Sequence, residues 1–273
     1  MSHIDVNLDK VVSKIENVLD LRNQQKHKPI TQKEDVISLE EYMTIDDNNL
    51  LKDLSFYKQL QQGYLSLPQL KWDKQELLDI INTIDKENKW LVHNPYPETF
   101  HRGNKFATAT SEIPSSILKQ FKMKFYSQSG FSRLYPNSST PPHPDNNPDK
   151  RLHDGTSFIP YSRECAIFFP VEGDFNLSPT NLYKVTQDVK NEIGVAGLQP
   201  KEWSNEKILK FEKFKTTKLT LNHPTLIRTQ GKIWHGVDNP TNENRTTFQI
   251  SFNSPYTFEA VAQLFRSGLI NVL

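Results

Sequence analysis

Two histidines and an aspartate stand where they could share one metal ion. His143 and Asp145 are two residues apart, so on an extended backbone both side chains leave from the same face. His235 lies much farther along the chain, in the segment GKIWHGV, whose composition predicts a strand. Two imidazoles and one carboxylate suit a divalent transition metal and leave coordination positions open for other ligands.

An arginine with strand spacing follows the second histidine. Arg245 comes ten residues after His235 and opens the segment RTTFQISF. In that predicted strand the polar side chains of Arg245, Thr247, Gln249 and Ser251 share one face, and apolar residues fill most of the other. A polar face of this kind is typical of a barrel lined by a wet site.

The residue set matches the chemistry of a facial triad, in which two histidines and a carboxylate hold Fe(II) with three positions open. A 2-oxo acid can fill two of these positions and O2 the third. The far carboxylate of such a cosubstrate needs a bidentate cation, and arginine supplies a planar fork that lysine lacks. Arg245 is the candidate, and Thr247 offers a hydroxyl on the same face.

Each of these residues also has a simpler interpretation. The segment PPHPDNNP has the composition of a surface turn, and His235 could be a core histidine beside Trp234. Arg245 follows a turn and could be a surface charge. Arg163 could face the substrate or cosubstrate, but its place near the start of the predicted strand ECAIFFPV favours a solvated strand end.

The elements that must position the site are short strands. After about residue 120 the sequence consists of runs rich in Phe, Tyr, Ile, Val and Thr, separated by Pro, Asn and Gly. The predicted strands are MKFYS, FSRLYP, ECAIFFPV, NLYKV, KLTLN, TLIRT, KIWHGV and RTTFQISF. Strands that follow one another in this way favour a sandwich or barrel over alternating βαβ units. The charged stretch 186–215 is predicted to be an insertion, either a substrate lid or a decoration.

Helical patterns flank the strands. Asp73 can cap a helix over KQELLDIINTIDKENKW, and Ser254-Pro255 opens a final helical segment. The predicted fold class is therefore α+β with a mainly β core, an N-terminal helical region and flanking helices. We expect residues 1–100 to form a mostly helical supporting region and residues 101–273 to form the core.

Composition and charge exclude several classes of protein. Lys and Arg number 33 against 32 Asp and Glu, so the net charge of +1 indicates no obligate nucleic-acid partner. The single cysteine, Cys165, excludes an internal disulfide and a cysteine-based metal cluster. No apolar run is long enough to span a membrane, and the start of the chain does not resemble a secretion signal. We expect a soluble, cytoplasmic protein.

The order and spacing of His143, Asp145, His235 and Arg245 resemble those of the Fe(II)/2-oxoglutarate-dependent dioxygenases, over about residues 120–253. Tyr135-Pro136 and the segment HPDN are similar to the prolyl hydroxylase branch. The resemblance implies a double-stranded β-helix, of the jelly-roll or cupin-like type, with His143, Asp145 and His235 as iron ligands. It also implies that Arg245 anchors 2-oxoglutarate and that Tyr135 helps to hold it.

The activity implied by the resemblance is hydroxylation, with O2 consumed and succinate and CO2 released. The substrate would be an amino acid, another small metabolite or a protein side chain. Asp145 favours hydroxylation, because relatives that halogenate have a small residue there. The glycines usual after the Tyr-Pro pair are replaced by Asn137-Ser138-Ser139. Two alternatives remain: a cupin-like metal enzyme that does not use 2-oxoglutarate, and a non-catalytic binding module on the same barrel.

Overall fold

The computed structural model describes residues 9, 11–13, 15–17, 47–93, 105–121, 128–145, 151–153, 158–160, 163–194, 204–253 and 256–268. The chain divides into two compact units, residues 1–62 and residues 63–273. In the first unit Lys58 forms an ion pair with Glu16 at 2.7 Å. The second unit contains the sheets, and residues 63–93, which the sequence assigned to the supporting region, belong to it.

Helices and strands alternate along the chain. The helices are α1 (Asp47–Gln62), α2 (Lys74–Lys86), α3 (Ser115–Leu118), α4 (Gln187–Ile193), α5 (Asn205–Glu212) and α6 (Phe258–Arg266). The strands are β1 (Tyr64–Ser66), β2 (Leu91–His93), β3 (Phe106–Thr110), β4 (Gln128–Leu134), β5 (Ser138–His143), β6 (Arg151–His153), β7 (Phe158–Pro160), β8 (Arg163–Glu172), β9 (Thr180–Lys184), β10 (Lys215–Leu219), β11 (Thr225–Arg228), β12 (Ile233–Asn239) and β13 (Arg245–Asn253).

Two antiparallel sheets form the core. Among the described residues, the large sheet has the order β1-β11-β8-β13-β4-β3-β2 and the small sheet the order β10-β9-β12-β5. From β4 onward the chain passes repeatedly from one sheet to the other, and β6 and β7 form a separate hairpin. This is the winding of a double-stranded β-helix, so the predicted fold class, α+β with a mainly β core, is confirmed.

An apolar cluster joins the two sheets. Its members come from β8 and β11 of the large sheet and from the strands of the small sheet and their flanking turns. They are Ala166, Phe168, Phe175, Leu182, Leu219, Leu221, Ile227 and Ile233. Side chains that share a strand face with these residues therefore point between the sheets.

The insertion between β9 and β10 covers the outer face of the small sheet. Phe211 of α5 stacks on Trp234 of β12 with ring centroids 5.6 Å apart. Val189 and Ile193 of α4 pack in the same cluster. Because Trp234 and His235 are neighbours on a strand, this packing turns the imidazole of His235 inward. The described helices of the insertion therefore support the sheet from behind; residues 195–203 lie outside the described part.

Helix α2 is tied to the outer face of the large sheet through Arg133 of β4. The Asp73 side chain caps this helix as predicted, accepting hydrogen bonds from the amides of Gln75 and Glu76. Arg133 donates to both carboxylate oxygens of Asp85 on α2, at 2.8 and 3.3 Å, and its guanidinium lies 4.3 Å from the ring centroid of Trp90.

We expect Arg133→Met to lower the free energy of unfolding by about 2–3 kcal/mol, because it removes the hydrogen bonds of a buried guanidinium to Asp85 and Glu172 and leaves both carboxylates without this cation. Only 6% of the Arg133 side chain is exposed. Urea denaturation measures the change. Lys89→Met is the control, since Lys89 pairs with Glu87 on the surface, and a change below about 0.5 kcal/mol is expected. An unaltered urea midpoint for Arg133→Met would contradict the stabilising role of Arg133.

Several elements differ from the sequence prediction. Strands β1, β2 and β3 were not predicted, and β5 occupies a proline-rich stretch whose composition suggested a turn. The predicted strand KLTLN is shifted, since β10 ends at Leu219, and the predicted strand MKFYS lies outside the described residues. None of the described helices has the length and apolarity needed to cross a bilayer.

Candidate metal centre

Strands β5 and β12 bring the two histidines together. His235 pairs directly with His143, and Val237 pairs with Thr140, so β5 has one residue more than the facing segment of β12. This β-bulge falls at Pro141-Pro142, and β5 is an edge strand, where proline is tolerated because a missing amide costs no ladder hydrogen bond. The imidazole ring centroids are 4.5 Å apart.

A glycine permits the close approach of these strands. A Cβ at Gly236 would lie 3.0 Å from the carbonyl oxygen of Thr140 and 3.1 Å from the nitrogen of Pro142, both of them backbone atoms. Backbone atoms cannot rotate away as a flexible side chain can. A larger residue must therefore separate β12 from β5 and move His143 away from His235.

We expect Gly236→Val to weaken Co(II) binding about tenfold or more, as displaced ligand geometry does in metalloproteins. Titration of the metal-free protein with Co(II) measures it. Gly194→Ala is the control: Gly194 has a φ of 72°, and apart from the adjoining backbone no atom of the described residues lies within 4 Å of the added Cβ. This change costs some stability but should leave Co(II) binding unaltered. Wild-type affinity in Gly236→Val would show that the close approach is not required.

Asp145 completes the group directly after β5. Its backbone amide donates to the carbonyl of Thr229 at 2.7 Å, which fixes the turn in which it lies. Its Oδ1 atom is 3.8 Å from Nε2 of His143 and 3.5 Å from Nε2 of His235. His143, Asp145 and His235 form the candidate metal-ligand group, and they offer ligand atoms within 4.8 Å of one another. These separations exceed ordinary hydrogen-bond lengths and suit atoms that surround a common ion.

The hydrogen bonding of the histidines leaves suitable lone pairs. Nδ1–H of His143 donates to the Pro141 carbonyl at 2.7 Å, so its Nε2 atom carries the lone pair that a metal requires. Nδ1 of His235 is buried without a hydrogen-bond partner among the described residues. The atom of His235 that faces Asp145 is instead Nε2, as it is in His143. Two imidazole Nε2 atoms and one carboxylate oxygen fit a divalent transition metal such as Fe(II).

Charge and burial hold Asp145 and His235 in the protonation states that metal binding needs. Burial opposes ionisation of Asp145, but the Arg163 guanidinium and the two histidines outweigh it and lower the carboxyl pKa to about 2. Burial lowers the pKa of His235 to about 4, despite the opposing charge of Asp145. At neutral pH the group therefore contains a carboxylate and a neutral His235.

Arg245 is a buried cation on the inner face of β13. Its Nε donates to the Ser178 carbonyl and its Nη2 to Oγ1 of Thr180, both at 2.8 Å. No carboxylate of the described residues lies within ion-pair distance of it. Burial lowers its pKa to about 9, so it stays charged at neutral pH. A buried charge without a counterion is unfavourable unless a ligand supplies one.

The two remaining predicted site residues, Thr247 and Tyr135, lie in different surroundings. Thr247 is buried and accepts a hydrogen bond from Nε2 of Gln249 at 3.3 Å, on the same inner face as Arg245. Tyr135 follows β4, and the Lys105 ammonium lies 4.6 Å from its ring centroid. Within the described part of the chain, no hydrogen bond or ring contact joins Tyr135 to the metal-ligand group or to Arg245. Its role in holding a cosubstrate stays a prediction.

From the sequence alone, Arg163 was not assigned to the site and Thr180 was not identified. Nη1 of Arg163 donates to Oδ2 of Asp145 at 3.0 Å and to Oε1 of Gln249 at 3.4 Å. The sequence favoured a solvated strand end for Arg163. Gln249 had a usable signal, because alternation places it on the polar face of β13. Thr180 had none, since its role depends on which strand of the other sheet faces Arg245.

Comparisons with known proteins give similarities of fold. No family model matches the sequence, and no characterised protein matches it in a sequence search. Similar solved structures include a prolyl hydroxylase from Trichoplax adhaerens in complex with a hypoxia inducible factor peptide. The sequence identity is 12% and the TM-score is 0.43, and the alignment covers 77% of this chain and 94% of that one. These similarities concern the fold.

Two bacterial structures give comparable values. A prolyl-4-hydroxylase from Pseudomonas putida has 12% identity and a TM-score of 0.38, with 70% of this chain and 92% of that chain covered. An oxidoreductase of the 2OG-Fe(II) oxygenase family from Burkholderia pseudomallei has 14% identity and a TM-score of 0.42, with 73% and 89% covered. The function must be argued from the side chains of the site.

Proposed function

We propose that this chain is an Fe(II)- and 2-oxoglutarate-dependent dioxygenase that hydroxylates a C–H bond of an amino acid, another small metabolite or a protein side chain. One observation carries the proposal. Arg245 is a buried cation without a carboxylate partner among the described residues, and it lies on the interior that also contains the metal-ligand group. An anionic ligand that also binds the metal would neutralise Arg245 and fill open coordination positions of the metal.

The spacing of the two parts supports a short dicarboxylate. Thr180, which accepts the hydrogen bond from Arg245, pairs with Val237 on β12. Val237 is two residues from His235 on the same strand face, which corresponds to about 7 Å. A five-carbon 2-oxo diacid fits this span, with its oxo-acid end at the metal-ligand group and its far carboxylate at Arg245.

Each residue has a defined task in this proposal. His143, Asp145 and His235 would hold Fe(II), which supplies the redox chemistry by which 2-oxoglutarate and O2 give succinate, CO2 and a hydroxylated substrate. Arg245 and Thr247 bind and orient the far carboxylate, and the apolar cluster between the sheets excludes water from the interior. The protein thus positions and shields its ligands more than it performs acid or base catalysis.

Thermal stability tests the proposal without knowledge of the substrate. With Mn(II) in place of Fe(II), 2-oxoglutarate should raise the melting temperature of the wild-type protein, since a ligand that binds the native state stabilises it. Glutarate lacks the oxo group and should have much less effect, and without metal the effect of 2-oxoglutarate should also be small. If metal raises the melting temperature but 2-oxoglutarate adds nothing, the chain is a metal enzyme that does not use this cosubstrate.

A further inference from the structure

Asp145 presents its two oxygens to different partners. Oδ1 faces Nε2 of His143 at 3.8 Å and Nε2 of His235 at 3.5 Å. Oδ2 accepts a hydrogen bond from the guanidinium of Arg163 at 3.0 Å. The oxygen that faces both imidazoles is therefore not the one that accepts the hydrogen bond from Arg163.

From this contact we infer that Arg163 is a positioning residue that reserves a single oxygen of Asp145 for the metal. The inference rests on the proposed function, because it concerns the same metal-ligand group. A carboxylate that gives both oxygens to a metal occupies two coordination positions. Arg163 prevents this by engaging Oδ2, and it thereby keeps a position open for the cosubstrate and O2.

The backbone holds Arg163 and Asp145 in a fixed relation. The hydroxyl of Thr229 donates to the Arg163 carbonyl at 3.1 Å, and the Thr229 carbonyl accepts the amide of Asp145 at 2.7 Å. Thr229 is fully buried. One residue therefore fixes the main chain on both sides of the ion pair.

A β-bulge turns Arg163 toward the metal-ligand group. Phe252 pairs with Cys165, but the next residue, Asn253, pairs with Arg163, so β8 has an extra residue at Glu164. Simple alternation from Cys165 would direct Arg163 to the outer face. The bulge reverses this, because two successive residues of a bulged strand oppose a single partner.

The inner face of β13 supports Arg163 from the other side. Oε1 of Gln249 accepts from Arg163 at 3.4 Å, and Nε2 of Gln249 donates to Thr247 at 3.3 Å. Hydrogen bonds thus connect Asp145 to Thr247, which we assign to cosubstrate binding. Arg163 acts at the junction of the metal-ligand group and the cosubstrate site.

Co(II) absorption tests the inference on the full-length protein, because the visible bands of this ion depend on the number and arrangement of its ligands. We compare wild type with Arg163→Met, which has similar length but no charge, and with Arg163→Lys. The control is Arg228→Met, on the neighbouring strand β11. Arg228 pairs with Glu259, and 26% of its side chain is exposed, against 19% for Arg163. Circular dichroism verifies that each variant is folded.

Arg163→Met should change the Co(II) spectrum before any cosubstrate is added, and 2-oxoglutarate should then bind at least tenfold more weakly. Arg163→Lys should recover part of both properties, and Arg228→Met should match wild type. A wild-type spectrum and wild-type 2-oxoglutarate affinity in Arg163→Met would overturn the inference. So would weaker 2-oxoglutarate binding with an unaltered initial spectrum, because Arg163 would then contact the cosubstrate directly. Failure of wild type to bind Co(II) would instead refute the proposed function.

Discussion

Replacing Arg245 with methionine is expected to weaken 2-oxoglutarate binding by about 100-fold or more while leaving metal affinity nearly unchanged. Removing one partner of a buried, hydrogen-bonded charge pair typically costs about 2–5 kcal/mol, and Arg245 is the only buried cation we assign to the far carboxylate. The candidate metal ligands are other residues, and within the described part of the chain the hydrogen bonds of Arg245 go to Ser178 and Thr180 and not to any of them. Titration of the Co(II)-loaded protein with 2-oxoglutarate measures the effect.

The stability of Arg245→Met gives a second, independent readout. The variant loses hydrogen bonds to Ser178 and Thr180, which lowers stability, but it also removes a desolvated charge. We expect the free energy of unfolding to stay within about 1 kcal/mol of wild type. If Arg245 served only to stabilise the fold, the Arg245→Met variant would instead be strongly destabilised. Arg245→Lys keeps a charge without the planar fork, so it should recover only part of the binding.

Replacing His235 with alanine is expected to abolish the stabilisation that metal gives. At a free metal concentration of 100 times the dissociation constant, binding adds about 2.7 kcal/mol to the free energy of unfolding. Nε2 of His235 lies 3.5 Å from Oδ1 of Asp145, and its ring centroid lies 4.5 Å from that of His143, so the substitution removes one of the three candidate ligands. Thermal melts with and without Mn(II) measure the difference, and the metal-free variant should still unfold cooperatively.

His223 provides the matched control, because it is an exposed histidine outside the metal-ligand group. His223→Ala should show the same metal-dependent rise in melting temperature as wild type. Equal stabilisation of His235→Ala and wild type by Mn(II) would mean that the metal binds elsewhere, and the assignment of the group would be wrong.

The inner face of β13 and the strand β12 that contains His235 could be predicted from sequence because they depend on local rules. Alternation alone placed Arg245, Thr247 and Gln249 on one polar face, and the burial of Phe248 on the other agrees with it. His143 and Asp145 were grouped for the same reason. Strand spacing is a short-range property, and the sequence displays it directly.

Other features depend on long-range contacts that local patterns do not contain. The proline-rich strand β5 forms because β12 offers it a partner with a glycine at the crossing, Gly236. Arg163 reaches Asp145 only because a bulge shifts the register of β8 against β13. A single inserted residue reverses the facing of a side chain, so alternation gives the wrong face there.

Visible absorption under anaerobic conditions tests the central claim most directly. Fe(II) and then 2-oxoglutarate are added to metal-free protein, and the metal-to-ligand charge-transfer band of a chelated 2-oxo acid is recorded for wild type, His235→Ala and Arg245→Met. We predict that the band forms in wild type, is absent in His235→Ala, and requires far more 2-oxoglutarate in Arg245→Met. Iron bound by wild type without this band at saturating 2-oxoglutarate would contradict the claim.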